Sequence, residues 1–195
     1  RVELDSFKAN ILRILLRQYF KSFKIRRVKP HELDTVLGIE HKVFRRELWG
    51  FAPVYASRLK LFPQGFFAAE INNKLVGYCS TERWDKENSY VINQDPVNTH
   101  SPKGNILYLS AIGVVPEFHA KGIGTALLRE VIAFGRKQGC KRVIIRIEAD
   151  NVPAANLFTR FGFKARKRLK KLFVFGRGKN KKPVDGLVLE LKLKR

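Results

Sequence analysis

The chain has 195 residues, 45% hydrophobic and 29% charged, which suits a single α/β domain with a sizeable core. Lys and Arg outnumber Asp and Glu by 39 to 17, a net charge of +22; this favours an anionic small molecule, an acidic protein, RNA or an anionic membrane surface as partner, unless it serves solubility alone. Cys79 and Cys140 stand in neither metal-like nor redox-like spacing, which argues against a disulfide framework and makes a reducing cytoplasm the expected compartment, and no apolar run is long enough to span a bilayer.

Residues 1–22 read as a basic amphipathic helix, an extension to the domain of 23–195. Leu4, Phe7, Ile11, Ile14, Leu15 and Phe20 are its apolar positions and Arg1, Lys8, Arg13, Arg17 and Lys21 its basic ones. Such a helix packs on its own domain, pairs with a partner or lies on a membrane. Lys24 to Lys29 is expected to be a strand, closed by Pro30, and His31 to Arg46 a helix. A short helix is expected over Pro53 to Leu61. Gly65 to Ile71 and Leu75 to Thr81 form a hairpin around Asn72-Asn73. Glu82 to Asn105 is polar and too long for a bare turn, so it is expected to be a flap or a disordered loop.

Ile106 to Val115 reads as a long strand, and a turn over Pro116 to Lys121 leads to Gly122-Ile123-Gly124. There a helix opens with Ile123, Leu127, Val131 and Phe134 on one stripe. A strand feeding a glycine-lined helix start can hold an anion, because the first helical N–H groups lack intrahelical partners and glycine admits a phosphate close to the backbone. The mononucleotide loop Gly-x-x-x-x-Gly-Lys-Ser/Thr is absent, and Leu127 stands where a dinucleotide fingerprint needs its third glycine. Gly139 stops the helix, Lys141 to Glu148 is the next strand, and Asn151 caps a short helix that Gly162 ends. Phe163 to Phe175 and Leu187 to Lys192 are the last strands, joined by a basic connection over Arg177 to Gly186.

His119-Ala120-Lys121-Gly122-Ile123-Gly124 resembles the coenzyme A loop of the GNAT acetyltransferases, Arg/Gln-x-x-Gly-x-Gly/Ala, with His in the Arg/Gln place. The order of elements over roughly Phe23 to Lys194 is similar to that superfamily. Ile39-Glu40 with Phe44 and Trp49, Ile112 to Glu117, Asn151 with Phe158, Gly162-Phe163 and Asp185 to Val188 most resemble the branch that acetylates the N-terminal alanine of a ribosomal protein. The resemblance implies an α/β (α+β) fold with a mixed, mostly antiparallel central sheet flanked by helices, and acetyl-CoA as cosubstrate with no metal. It implies that neighbouring strands splay around Gly113, where Ile112, Gly113 and Val114 clasp the pantetheine arm. Main-chain N–H groups over Ala120, Lys121, Gly122, Ile123, Gly124 and Thr125 would take the pyrophosphate. His119 and Lys121 would add charge, and Asn151, Ala154 and Phe158 would line the cofactor arm. The Val114 N–H would meet the oxyanion. The amine acceptor would enter near Glu40, Phe44 and Trp49, with Asp185 on the hairpin opposite.

The sequence departs from that branch at the chemistry. Arg146 stands where the branch carries a basic glutamate, and Phe158 where many members carry the tyrosine that protonates the thiolate. Leu172-Phe173 replaces a frequent tyrosine pair. Three consequences are open. Transfer proceeds by positioning alone, since a thioester is already activated. Or another residue stands in: Glu148 shares a strand face with Arg146, about 7 Å along, as displaced base or as its salt-bridge partner, with Glu40, His41, Tyr108 and Ser110 as further candidates. Or the domain binds CoA without turning it over. The runs Lys164 to Lys171 and Lys179 to Lys182 leave RNA or ribosome association open, and monomer and homodimer are equally compatible with the chain.

Overall fold

The alternating apolar segments assemble into one mixed sheet. A computed structural model describes residues 23–176 and 178–194, so the expected helix over 1–22 lies outside the described residues. The strands are β1 Lys24–Arg27, β2 Phe66–Ile71, β3 Lys74–Trp84, β4 Ile106–Val114, β5 Arg142–Glu148, β6 Lys164–Phe175 and β7 Lys182–Lys192, in spatial order β1-β2-β3-β4-β5-β7-β6. Only the β4–β5 pair is parallel, as its crossover through a helix requires. The helices are α1 Leu33–Val43, α2 Ala52–Leu61, α3 Ile123–Lys137 and α4 Val152–Arg160.

Side-chain alternation sorts the helices onto two faces. On β2, the Phe66 ring lies 5.9 Å from Tyr55 of α2, and the next residue, Phe67, lies 5.5 Å from Phe134 of α3. The stripe Ile123, Leu127, Val131 and Phe134 is buried throughout. The β2–β3 turn uses Asn72 and Asn73, both left-handed (φ 50° and 61°), which suits the twist of a two-residue hairpin.

Several boundaries differ from the sequence reading. The first helix ends at Val43, not Arg46, and a separate 3-10 turn covers Arg46–Leu48. β3 runs on to Trp84, because Glu82 and Trp84 are buried there rather than solvated. The connection from β3 to β4 is held by specific bonds, such as Ser101 N–H to the Arg83 carbonyl at 2.8 Å, and contains a 3-10 turn at Pro96–Asn98. β7 begins at Lys182 instead of Leu187, because Val184 packs with Phe173 and Phe175.

The β4–β5 ladder ends at the Leu109–Ile145 pair. Across the other edge of β4, Ser80 pairs with Ala111 and Thr81 with Leu109, so Ser110 is an extra, bulged residue. Its hydroxyl lies 2.6 Å from the Ser80 hydroxyl and donates to the Ser80 carbonyl at 3.0 Å. The bulge bends β4 away from β5, so the seam opens at Ser110 rather than around Gly113.

At the β1 edge, Arg26 forks Glu32 through two bonds of 2.8 and 2.6 Å and also reaches Glu70 at 2.7 Å. The Arg26 bond holds the Glu32 carboxyl down to about 2, from 4.5, against the opposing effect of burial. A depressed carboxyl stabilises the fold above its unfolded pKa and loses that contribution as pH falls through the folded value. Glu32→Gln is therefore expected to lower the denaturant midpoint at pH 7, with the gap to the parent protein narrowing below pH 4.5 toward pH 2.

Candidate functional site

The open seam separates two connected spaces. A groove of about 680 Å³ runs between the end of β4, the loop before α3 and the start of α4. A smaller cavity of about 150 Å³ lies deeper, walled by β4, β5, α1, α2 and the segment 91–94. The two share Phe44, Leu48, Ile112, Glu148, Asn151, Ala154 and Phe158 as common wall.

Strand register decides which main-chain groups face the seam. The Val115 N–H bonds the Val76 carbonyl at 2.9 Å, and the pairs Tyr78–Gly113 and Ser80–Ala111 share its parity. Gly113 and Ala111 therefore turn their amides toward β3, while Ile112 and Val114 turn theirs toward the open side. Gly113 has little spare room, since a Cβ there would come within 3.1 Å of Val43.

The loop before α3 is shaped for an anion. Ala120 (φ 58°) and Gly122 (φ 78°) are left-handed on either side of Lys121, so successive N–H groups turn toward one side. The first helical bond of α3 runs from Ala126 N–H to the Gly122 carbonyl, leaving the amides of Ile123, Gly124 and Thr125 without helical partners. The two side chains expected to add charge are placed differently from each other. His119 lines the groove, and its Nε2 lies 2.7 Å from the Val114 carbonyl, bracing the end of β4. Lys121 donates to the Glu117 carbonyl at 3.0 Å and covers the Phe118 ring at 4.6 Å; it is absent from the groove wall, where Ala120 and Gly122 stand.

Asn151 has both expected positions at once. Its side-chain oxygen caps α4 by accepting from the Ala154 N–H at 3.1 Å, and it lines the groove. Its amide also donates to Glu148 at 3.3 Å. No ion pair joins Glu148 to Arg146 among the described residues, which corrects the expectation that they are salt-bridged. Arg146 instead donates to the Tyr90 carbonyl and lies 5.1 Å from the Phe173 ring centre. Glu148 is thus a carboxylate on the shared wall with no cation bound to it among the described residues. Phe158 is buried on the same wall, its ring 5.2 Å from Phe163. Tyr108 lines the cavity with its ring stacked on Trp84 at 4.1 Å, and its hydroxyl has no hydrogen-bond partner among the described residues.

Of the residues expected around the acceptor, Glu40 and Phe44 reach the cavity and Trp49 and Asp185 do not. Trp49 stacks on His41 at 4.0 Å and donates to the Phe44 carbonyl at 2.8 Å, so it shapes the turn after α1 from outside. Asp185 faces Arg168 at 2.7 Å and accepts from the Lys171 N–H at 2.8 Å, which ties β6 to β7. Glu40 is 2% exposed; it accepts from the Gly50 N–H at 2.9 Å and from the Tyr78 hydroxyl, which meets the Tyr55 hydroxyl at 2.9 Å. Burial raises its pKa, against the effect of the Gly50 bond. Glu40→Ala is expected to cost about 2 kcal/mol in urea, because it leaves the half-buried Gly50 N–H without its acceptor and the Tyr78 hydroxyl with Tyr55 alone, whereas Glu40→Gln keeps an acceptor and costs about 1 kcal/mol.

The sequence reading missed Arg58 and Glu82, both buried in the cavity wall. A signal existed for Arg58: Val54, Tyr55, Arg58 and Leu59 share the buried stripe of α2, which places a cation where the helix faces inward. Cys79 and Cys140 line neither space, and burial pushes both thiols up. No helix among the described residues is long and apolar enough to cross a membrane.

A family model, the acetyltransferase (GNAT) family, matches residues 33–163. An N-alpha-acetyltransferase of Sulfurisphaera tokodaii is 29% identical over 160 residues, covering 80% of this chain and 89% of its own. The crystal structure of the ribosomal-protein-S18-alanine N-acetyltransferase from Escherichia coli superposes with a TM-score of 0.68 at 18% identity, covering 89% of this chain and 96% of that one. Arabidopsis thaliana Naa50, in complex with the bisubstrate analogue CoA-Ac-MVNAL, gives a TM-score of 0.68 at 20% identity, covering 88% and 99%.

Proposed function

Since the chain belongs to the GNAT acetyltransferase family, we propose that it transfers an acetyl group from acetyl-CoA to a primary amine by direct attack in a ternary complex. The observation that carries this reading is the groove of unpartnered amides joined to a smaller cavity across a common wall. The amides of Ile123, Gly124 and Thr125 take the pyrophosphate at the positive end of α3. The edge N–H and carbonyl of Ile112 bond the pantetheine arm as an added strand would, which leaves the Val114 N–H for the thioester. A solved structure of the same fold, Arabidopsis thaliana Naa50, is in complex with the bisubstrate analogue CoA-Ac-MVNAL, which supports CoA as the cosubstrate.

The amine enters from the cavity and meets the thioester at the common wall. Its lone pair forms the C–N bond while Glu148 accepts the ammonium proton. The Val114 N–H stabilises the oxyanion of the tetrahedral adduct. The C–S bond then breaks, and the thiolate takes its proton from water, since Phe158 has none to give. The raised pKa of both thiols argues against a covalent acyl-enzyme.

The test is paired. Calorimetry with CoA and acetyl-CoA is expected to show binding, and acetyl-CoA with a panel of amines is expected to release free thiol. Absence of binding removes the groove from the reading. Binding without thiol release on any acceptor would favour a second reading, a CoA-binding domain without turnover, which Arg146 and Phe158 at the chemistry positions support.

A further inference from the structure

The cavity wall carries three carboxylates, Glu40, Glu82 and Glu148, and two guanidinium groups, and their hydrogen bonding is lopsided. Glu40 is matched by the Gly50 N–H and the Tyr78 hydroxyl. Glu82 is matched by the Trp84 indole at 2.5 Å and by the Thr99 hydroxyl. Asn151 likewise donates to Glu148 at 3.3 Å, so neutral donors already serve all three anions. The cations are served less fully: Arg146 spends one N–H on the Tyr90 carbonyl. Arg58, whose side chain is 10% exposed, makes no hydrogen bond among the described residues. Its Nε is buried without a hydrogen-bond acceptor, because its ion pair with Glu82, at 3.8 Å, is longer than a hydrogen bond. The Nε of Arg146 is buried and unpartnered as well.

A guanidinium presents five N–H donors in a planar fork, and leaving them unmade in a buried site is costly. A carboxylate is the acceptor whose geometry fits that fork. We propose that the acceptor is a small amine bearing a carboxylate, which Arg58 binds inside the cavity, with Arg146 as the second cation of the same wall. This rests on the acetyl-transfer reading above. The occupant is small, because a cavity of about 150 Å³ holds a molecule near the size of benzene. Arg146, which displaces the carboxylate expected from the family pattern, becomes a recognition group for the acceptor's anion rather than a failed base.

The experiment compares β-alanine and γ-aminobutyrate with their primary amides as acceptors, at equal free-amine concentration, in the full chain with acetyl-CoA. The acids are expected to show kcat/KM at least about tenfold above the amides, the scale of a charge-assisted hydrogen bond. Arg58→Gln is expected to bring the acid-to-amide ratio near one, and Arg58→Lys to recover part of it. Equal efficiency of acids and amides in the parent protein overturns the proposal, whatever the variants do. If no amine is acetylated, the acetyl-transfer reading fails separately. Calorimetry of the CoA-loaded protein with glutarate and with glutaramide then decides: glutarate alone binding upholds an anion site at Arg58, and binding of both or neither refutes it.

Discussion

Glu148→Gln is expected to lower kcat by roughly 10²-fold or more while leaving the Kd for CoA within about twofold, the range for removing a positioned general base. The side chain stands on the wall common to groove and cavity, with Asn151 as its hydrogen-bond partner at 3.3 Å. Glutamine keeps that shape and can still meet Asn151, so the substitution removes a proton acceptor and little else. Thiol release under saturating acetyl-CoA, with CoA affinity measured in parallel, separates the two quantities. An unchanged kcat removes Glu148 from the chemistry and leaves positioning as the whole of the catalysis.

Gly124→Asp is expected to have opposite effects on folding and on binding. A Cβ at Gly124 would meet Leu157 at 3.7 Å and Val114 at 4.0 Å, ordinary contacts that need no rearrangement. A carboxylate in the first turn of α3 complements the helix dipole, so the melting temperature is expected to hold or rise slightly. The same carboxylate faces the site proposed for the pyrophosphate. Like-charge juxtaposition of this kind costs several kcal/mol, roughly a thousandfold in Kd. Calorimetry and thermal melts on one preparation check both signs. Unchanged CoA affinity would move the anion site away from α3.

Much of this architecture was legible in the residues because local signals and the global fold agree there. Asn72-Asn73 marked the hairpin, the Ile123–Leu127–Val131–Phe134 stripe marked the long helix, and Asn151 capped the short one. The errors lie where side chains choose between partners that only the tertiary structure supplies. Lys121 reads as a phosphate ligand by its place in the loop, yet it bonds the Glu117 carbonyl and is absent from the groove wall, whereas His119 both meets the Val114 carbonyl and lines the groove. The opening of the seam was misplaced because a bulge at Ser110 leaves no mark on apolar periodicity. Arg58 was overlooked because a lone arginine in a short helix passes for a solvated one until its neighbours Tyr55 and Leu59 are seen to be buried.

One of the two edge strands of the sheet is β6, and it displays Lys164, Lys167, Lys170 and Lys171 at exposed positions along a border that no strand among the described residues pairs with. Register shifts interrupt it after Ala165 and after Leu169, and Lys171 is left-handed at φ 51°. An open border of main-chain donors and acceptors is a template for edge-to-edge aggregation, and ammonium groups with kinks are what make it a poor one. A part of the chain's surplus positive charge therefore has a task that requires no ligand at all: it keeps copies of this protein from zipping together at high concentration.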